Sequence, residues 1–335
     1  MGRLIPAIGI VAAFLGLAVL ACLGTLAIYY SNLPSALRLA GSGLFAAVAT
    51  SLVLAGLRKK WRRAWGGFLV LFGMVFAAWW ALIPPSNNRD WQADVAVLPW
   101  AEVRGDNVTV HNIRNCEYRN ETDFTVRHYD RTFDLAQLRS MDLFLVHWGA
   151  PGIAHTMLSF GFSDGGHLCF SIETRKEVGE TYSAIKGFFK QFELTYVVAD
   201  ERDLVRLRTN FRAGEDVYLY RLDVPMDFAR KVLLDYLRQV NSLKTTPEWY
   251  RAVGANCTTS ILRHTNRFNP EASFDWRLIA NAYLDEMLYE RGRLDRTFPF
   301  VELKKRSLVN PTAKAVTATE DFSRRIRQGL PGMEF

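Results

Sequence analysis

Charge is nearly missing from three long stretches of this 335-residue chain: Leu4 to Tyr30, Ala36 to Leu57 and Gly66 to Ile83. Each is close to the roughly 20 residues needed to cross a bilayer. A buried helix of a soluble domain is rarely so long or so free of charge, so the stretches predict three transmembrane helices. The first also lacks a clear small-residue cleavage site and is too long for a removable leader. Histidine and cysteine are scarce, at six and four residues. No two His, Cys or acidic residues stand at a familiar zinc spacing, which argues against a metal site, and no cofactor is expected. No internal repeat or low-complexity block is present.

What remains divides into two parts. The mean hydropathy of −0.01 averages an apolar N-terminal part with an ordinary soluble mixture after about residue 85. Three segments are expected: a membrane domain over 1–85, an exterior domain over 86–310 and a loosely ordered tail over 311–335. Lys and Arg are retained on the cytoplasmic side. The second loop reads Arg58-Lys59-Lys60-Trp61-Arg62-Arg63, whereas the first, from Ser31 to Ala36, carries no charge. That asymmetry puts the second loop in the cytoplasm and everything after Pro84-Pro85 outside. Trp79, Trp80, Trp91 and Trp100 suit the interfacial belt beside the third helix. Part of the net charge of +7 comes from this one loop, so it argues little for nucleic acid, and no nucleic-acid partner is expected. In an oxidising exterior Cys116 and Cys169 are a candidate disulfide, which would leave Cys257 as the odd thiol.

The exterior part reads as an α+β domain. Short polar-apolar alternations over 91–135 predict strands and loops, and the continuous apolar run "MDLFLVH" (141–147) a buried strand. Two further strand-like runs flank Ser163-Asp164-Gly165-Gly166, a strong hairpin signal. A turn centred on Asp164 makes residue 173 the cross-strand partner of residue 155, placing His155 beside Glu173. Helices are expected over 182–192 and 203–211, with strands over 194–199 and 217–222. Pro225 opens a long amphipathic helix, another begins at Asn256 or Cys257 and runs to about Arg263, and a last spans 276–289.

Cys257 follows Gly254-Ala255-Asn256 and falls in the first turn of its helix, where unpaired N–H groups and the helix dipole favour a thiolate. Read locally, the residue stays open between a nucleophile and a small hydrophobe packing a helix end. A cysteine nucleophile needs a base, and the base a partner that fixes its tautomer. His155 with Glu173 supplies both. His147 ends a buried strand, His167 lies at the hairpin turn, and His111, His128 and His264 look surface-placed.

The order His, then a polar strand residue, then Cys at a helix start reverses that of papain-like enzymes. It resembles circularly permuted NlpC-type thiol enzymes, including the lecithin:retinol acyltransferase group. The resemblance is closer to the Lnb N-terminal periplasmic domain family, through "RDWQADVAVLPW" (89–100), "DLFLVHWGAPGIAHTMLSFGF" (142–162), "SIETRKE" (171–177), "YVVADERDLVRLRTN" (196–210) and "ANCTTSI" (255–261). This resemblance implies a permuted papain-like (NlpC-type) periplasmic domain anchored in the bacterial inner membrane. It further implies catalysis by Cys257 as nucleophile, His155 as base and Glu173 as orienting residue. The implied reaction moves an acyl chain from a phospholipid donor to the N-terminal amine of a lipoprotein or another envelope acceptor. For such a reaction Phe188, Phe189, Trp148 and Trp249 are candidates to line an acyl groove, and Arg175 and Lys176 are expected to face solvent rather than a lipid phosphate. A membrane-tethered cysteine peptidase or amidase, and a non-catalytic envelope binding module, stay open beside it.

Overall fold

The computed structural model describes residues 4–58, 61–251, 256–269, 275–316 and 321–333. Lys59, Lys60, Gly254 and Ala255 therefore lie outside the described residues. The chain forms two units, one of residues 1–86 with 183–191, the other of residues 87–182 with 192–335.

In the first unit, helices α1 (Leu4–Tyr29), α2 (Ser35–Ala55) and α3 (Trp61–Leu82) are each long and apolar enough to cross a membrane. Phe45, Ala49, Val53 and Phe68 form their shared core. Close approach is bought by absent side chains: a Cβ on Gly24 would lie 2.6 Å from the Phe45 ring, and one on Gly56 1.9 Å from the Trp65 indole. The expected helix over 182–192 is the short segment Ala184–Phe188, and it belongs to this unit. Beyond it, the Phe189 ring stacks 5.4 Å from Tyr30, and Lys190 Nζ donates to the Trp80 carbonyl at 2.7 Å.

The second unit is built on one mixed sheet. Its strands are β1 (Trp100–Arg104), β2 (Asn107–Arg114), β3 (Glu117–Tyr118), β4 (Phe124–Thr125), β5 (His128–Asp134), β6 (Leu138–His147), β7 (His155–Phe162), β8 (His167–Arg175), β9 (Glu193–Ala199) and β10 (Asp216–Arg221). The order is β1-β2-β9-β8-β7-β6-β10, with β5 also paired to β2 and β3-β4 a separate ribbon. Only the β2-β9 junction among these pairs is parallel. Strand β6 is apolar from Leu143 to Val146 because both faces of the sheet are covered there. Leu143 and Leu145 face the core completed by Val232, Leu233, Tyr236 and Ile261, whereas Phe144 and Val146 face Leu204, Val205, Phe322 and Ile326. The first layer comes from α6 (Met226–Thr245) and α7 (Cys257–Asn266). The second uses α5 (Glu201–Arg206), followed by one π-helical turn over Leu207–Phe211.

Several expectations need correction. The helix over 276–289 breaks into turns at Trp276–Leu278 and Asn281–Tyr283 before a helix over Leu284–Glu290, because the Asn281 side chain bonds the backbone of Ala154. The tail is not loose: Phe322, Ile326, Leu330 and Met333 are buried on the second face of the sheet. Arg327 secures it, bonding Asp142 at 2.8 Å and Glu201 at 2.6 Å, all three almost wholly buried. All four cysteines are free; Cys169 faces the sheet's second core, whereas Cys116 packs with Tyr118 and Leu207. Trp91 and Trp100 are occupied within this unit, under Arg175 at 4.2 Å and against His111 at 3.9 Å. Arg175 therefore faces neither solvent nor lipid; it is buried and donates to the carbonyls of Val95 and Ala96.

Arg327→Ala leaves Asp142 and Glu201 buried beside a missing countercharge and should destabilise the domain by about 3–5 kcal/mol. The measurement is the thermal midpoint of the full-length protein in detergent, and an unchanged midpoint contradicts the role. Burial alone would raise the Glu201 pKa, but Arg327 and His167 hold it at about 2. Its contribution is complete above the ordinary carboxylate range and should fade as pH falls towards 2.

Candidate active site

Helix α7 begins where its cap dictates. Asn256 accepts from the Thr259 N–H at 2.9 Å, and the Thr259 hydroxyl accepts from the Asn256 N–H at 3.0 Å, a reciprocal capping box. Cys257 is thus the first residue of the helix, half-buried, in the field of unpaired N–H groups.

The base approaches from the hairpin. Met157 pairs with Ser171 and Gly161 with His167, so the turn centres on residue 164 as the sequence predicts. Continued two residues, this register sets His155 opposite Glu173, and the His155 Nε2 to Glu173 Oε1 distance is 3.2 Å. Alternation also puts Ser171 on that face. Its hydroxyl donates to Glu173 Oε1 at 2.6 Å and lies 2.7 Å from His155 Nε2. A hydroxyl has one proton; with that proton given to Glu173, Ser171 accepts from His155, so Nε2 carries hydrogen. This tautomer leaves Nδ1 as the nitrogen for Cys257, whose thiol is hydrogen-bonded to the imidazole.

Arg208 completes the carboxylate's surroundings from the π-helical turn. It is buried, donating to Glu173 Oε1 at 2.7 Å and to the Leu204 carbonyl at 3.0 Å. Burial would raise the Glu173 pKa, yet His155, Arg208 and Ser171 hold it well below the usual carboxylate range. The ionised carboxylate acts on the ring in turn. Burial would lower the His155 pKa, but Glu173 and Cys257 lift it to about 9. Likewise burial would raise the thiol, and the His155 charge with the Thr156 N–H and hydroxyl brings Cys257 down to about 7. Near neutrality the arrangement favours thiolate beside imidazolium.

Asn281 ties the two halves together. Its side chain accepts from the Ala154 N–H at 2.7 Å, donates to the Ala154 carbonyl at 2.6 Å, and donates to the Thr258 hydroxyl. It therefore fixes the residue before His155 against the residue after Cys257. Tyr250 is buried and Tyr182 exposed; burial and the nearby Cys257 raise both phenols, which stay protonated as hydroxyl donors.

The remaining candidates separate. His264 is buried rather than surface-placed, bonded to Asp235 and Tyr196 at 2.9 Å each. His111 stacks on Trp100 and bonds Asp130 at 2.6 Å, and His147 packs edge-on against Tyr218. Of the proposed groove residues, Phe188 and Phe189 belong to the helical unit, Trp249 is buried near Arg89, and Trp148 is exposed in the loop before His155. Ser171, Arg208 and Asn281 went unrecognised in the sequence. Ser171 had a signal, being two residues from Glu173 on the same strand face; the other two are joined to the site only by the fold. Among the described residues no cluster of three metal-ligating side chains is present.

Iodoacetamide alkylation of Cys257, corrected with Cys257→Ser, should rise with a midpoint near pH 7. His155→Ala removes the imidazolium but keeps the burial, so its midpoint should move upward; a midpoint that stays put separates the thiol from the ring.

Residues 125–282 match the family model of the Lnb N-terminal periplasmic domain. His155, Ser171, Glu173, Arg208, Cys257 and Asn281 all fall within this segment, while the resembling block at 89–100 precedes it. No curated protein and no solved structure matches the chain. The segment 125–282 is thus assigned to the Lnb N-terminal periplasmic domain family, and with three helices able to span a bilayer the chain fits a membrane protein carrying a periplasmic domain.

Proposed function

We propose that this protein is a cysteine-dependent acyltransferase of the bacterial inner membrane, moving an acyl chain from phospholipid to the N-terminal amine of lipoproteins. The observation that carries the reading is the Cys257–His155 pair, with the ring's far nitrogen committed to Ser171 and Glu173. Its order along the chain and its helix-start thiol also support a permuted papain-like relationship.

The chemistry proceeds in two steps. The Cys257 thiolate attacks the ester carbonyl carbon; the ester C–O bond breaks, and the departing lysophospholipid oxygen takes a proton from the His155 imidazolium. A thioester and a neutral imidazole remain. The lipoprotein amine then attacks the thioester and gives a proton to His155 Nδ1, and the C–S bond breaks to restore the thiolate and imidazolium. The developing oxyanion of each step falls to the N–H groups of the first turn of α7, with the one uncommitted hydroxyl proton of the hydrogen-bonded Tyr182–Tyr250 pair as a further donor beside the thiol. Glu173 remains ionised throughout and stabilises the imidazolium that exists before the first step and is restored by the second.

Mass spectrometry of lipoprotein N-termini tests the reading in cells with wild-type protein, without it, and with Cys257→Ala. N-acylation should be present only with wild type. Identical N-termini in all three contradict acyl transfer, and peptide release by the purified protein that is abolished in Cys257→Ala would favour a peptidase. His155→Ala should abolish turnover, whereas Glu173→Gln, which keeps the shape and loses the charge, should retain a measurable fraction; wild-type rates for both remove the triad.

A further inference from the structure

The loop before His155 and the turns around Asn281 carry large apolar side chains that the domain core does not use. Trp148, Ile153, Trp276, Ile279 and Tyr283 are between 43% and 75% exposed. Single exposed hydrophobes are ordinary on protein surfaces, but a cluster beside a reactive group marks an interaction site. The two segments that carry these residues are stitched together, and the Trp276 and Tyr283 rings lie 5.6 Å apart. Asn281 holds both backbone groups of Ala154, and the Ala282 N–H reaches the Gly152 carbonyl at 3.3 Å. The same asparagine bonds Thr258, next to the thiol, so the apolar rim borders the Cys257–His155 pair.

The rim's electrostatics narrow the class of partner. Residues 148–153 carry no charge, and residues 276–283 carry only Arg277. That guanidinium is committed to Asp275 at 2.9 Å and Glu290 at 2.6 Å. A surface of indole, phenol and branched aliphatic groups without net charge offers nothing to an anionic headgroup or a charged peptide. It matches hydrocarbon and the bilayer interface, where Trp and Tyr concentrate. The chain also carries three bilayer-length helices, so lipid is the apolar phase at hand.

We infer that the segments 148–153 and 276–283 form the lipid-contacting rim of the thiol site and receive the fatty-acyl chain of the donor. The delivery of that chain to Cys257 rests on the acyl-transfer reading; contact with hydrocarbon does not. Asn281 sets the rim's position relative to the thiol, so that a chain lying across the rim presents its ester carbonyl to Cys257.

The test uses full-length protein in vesicles of phosphatidylethanolamine and phosphatidylglycerol containing a phospholipid with a diazirine in its acyl chain. After irradiation and digestion, crosslinks should map to peptides containing 148–153 and 276–283 as well as to the three helices. The double variant Trp276→Ser/Ile279→Ser removes much of the exposed apolar surface and should lower labelling of both peptides by about five-fold or more. Its iodoacetamide profile serves as the check that the domain is folded. Labelling confined to the three helices overturns the inference and leaves the rim to a protein partner, as does equal rim labelling in the folded double variant. A rim that labels while Cys257 never acquires an acyl group would refute acyl transfer alone; acylation without rim labelling would refute the rim alone.

Discussion

Glu173 is the charge on which the rest of the site depends. Its carboxylate oxygen receives Ser171, Arg208 and His155 together, and these partners outweigh a burial that would otherwise neutralise it. Kept ionised, it stabilises positive charge on the imidazole, and the imidazolium stabilises negative charge on the thiol. The chain of influence thus runs from a buried arginine through a carboxylate and a ring to sulfur. Removing any link weakens the hold on the charge of the next group.

The fold meets the geometric demand of that chain by rigidity. The base and its partner lie on adjacent central strands, where register fixes their separation. The thiol lies at a capped helix start packed on the same strands. Asn281 joins strand and helix directly through three hydrogen bonds, so neither element can slide without breaking them. On the other face, Arg327 neutralises the buried Asp142 and Glu201 and draws the C-terminal segment onto the sheet. The central strands are therefore enclosed on both sides, which is what allows β6 to be apolar from Leu143 to Val146.

The sequence made legible those features that local chemistry determines. Asp164-Gly165 fixes the hairpin, and the hairpin fixes which residue faces His155. Asn256 with Thr259 fixes the start of the cysteine helix. Three charge-poor stretches announce three membrane-length helices. Features set by distant partners stayed hidden. Arg208 meets Glu173 only because a π-helical turn brings it under the sheet, and Asn281 meets Ala154 across more than a hundred residues. His264 reads as solvent-facing when its helix is ended at about Arg263, yet α7 continues to Asn266 and turns the ring inward onto Asp235. The tail reads as loose because its apolar residues are interspersed with three arginines and a glutamine; one of the arginines, Arg327, is a buried countercharge.

The proposed acyl transfer requires Cys257 to carry an acyl group taken from phospholipid. Intact-mass analysis of the full-length protein after incubation with a single defined phospholipid addresses it directly. Acyl transfer through Cys257 predicts one added acyl mass on wild type, located at Cys257, removed by neutral hydroxylamine and absent from Cys257→Ser. An unmodified wild-type mass under conditions where the thiol remains alkylatable, or the same adduct on Cys257→Ser, would contradict it.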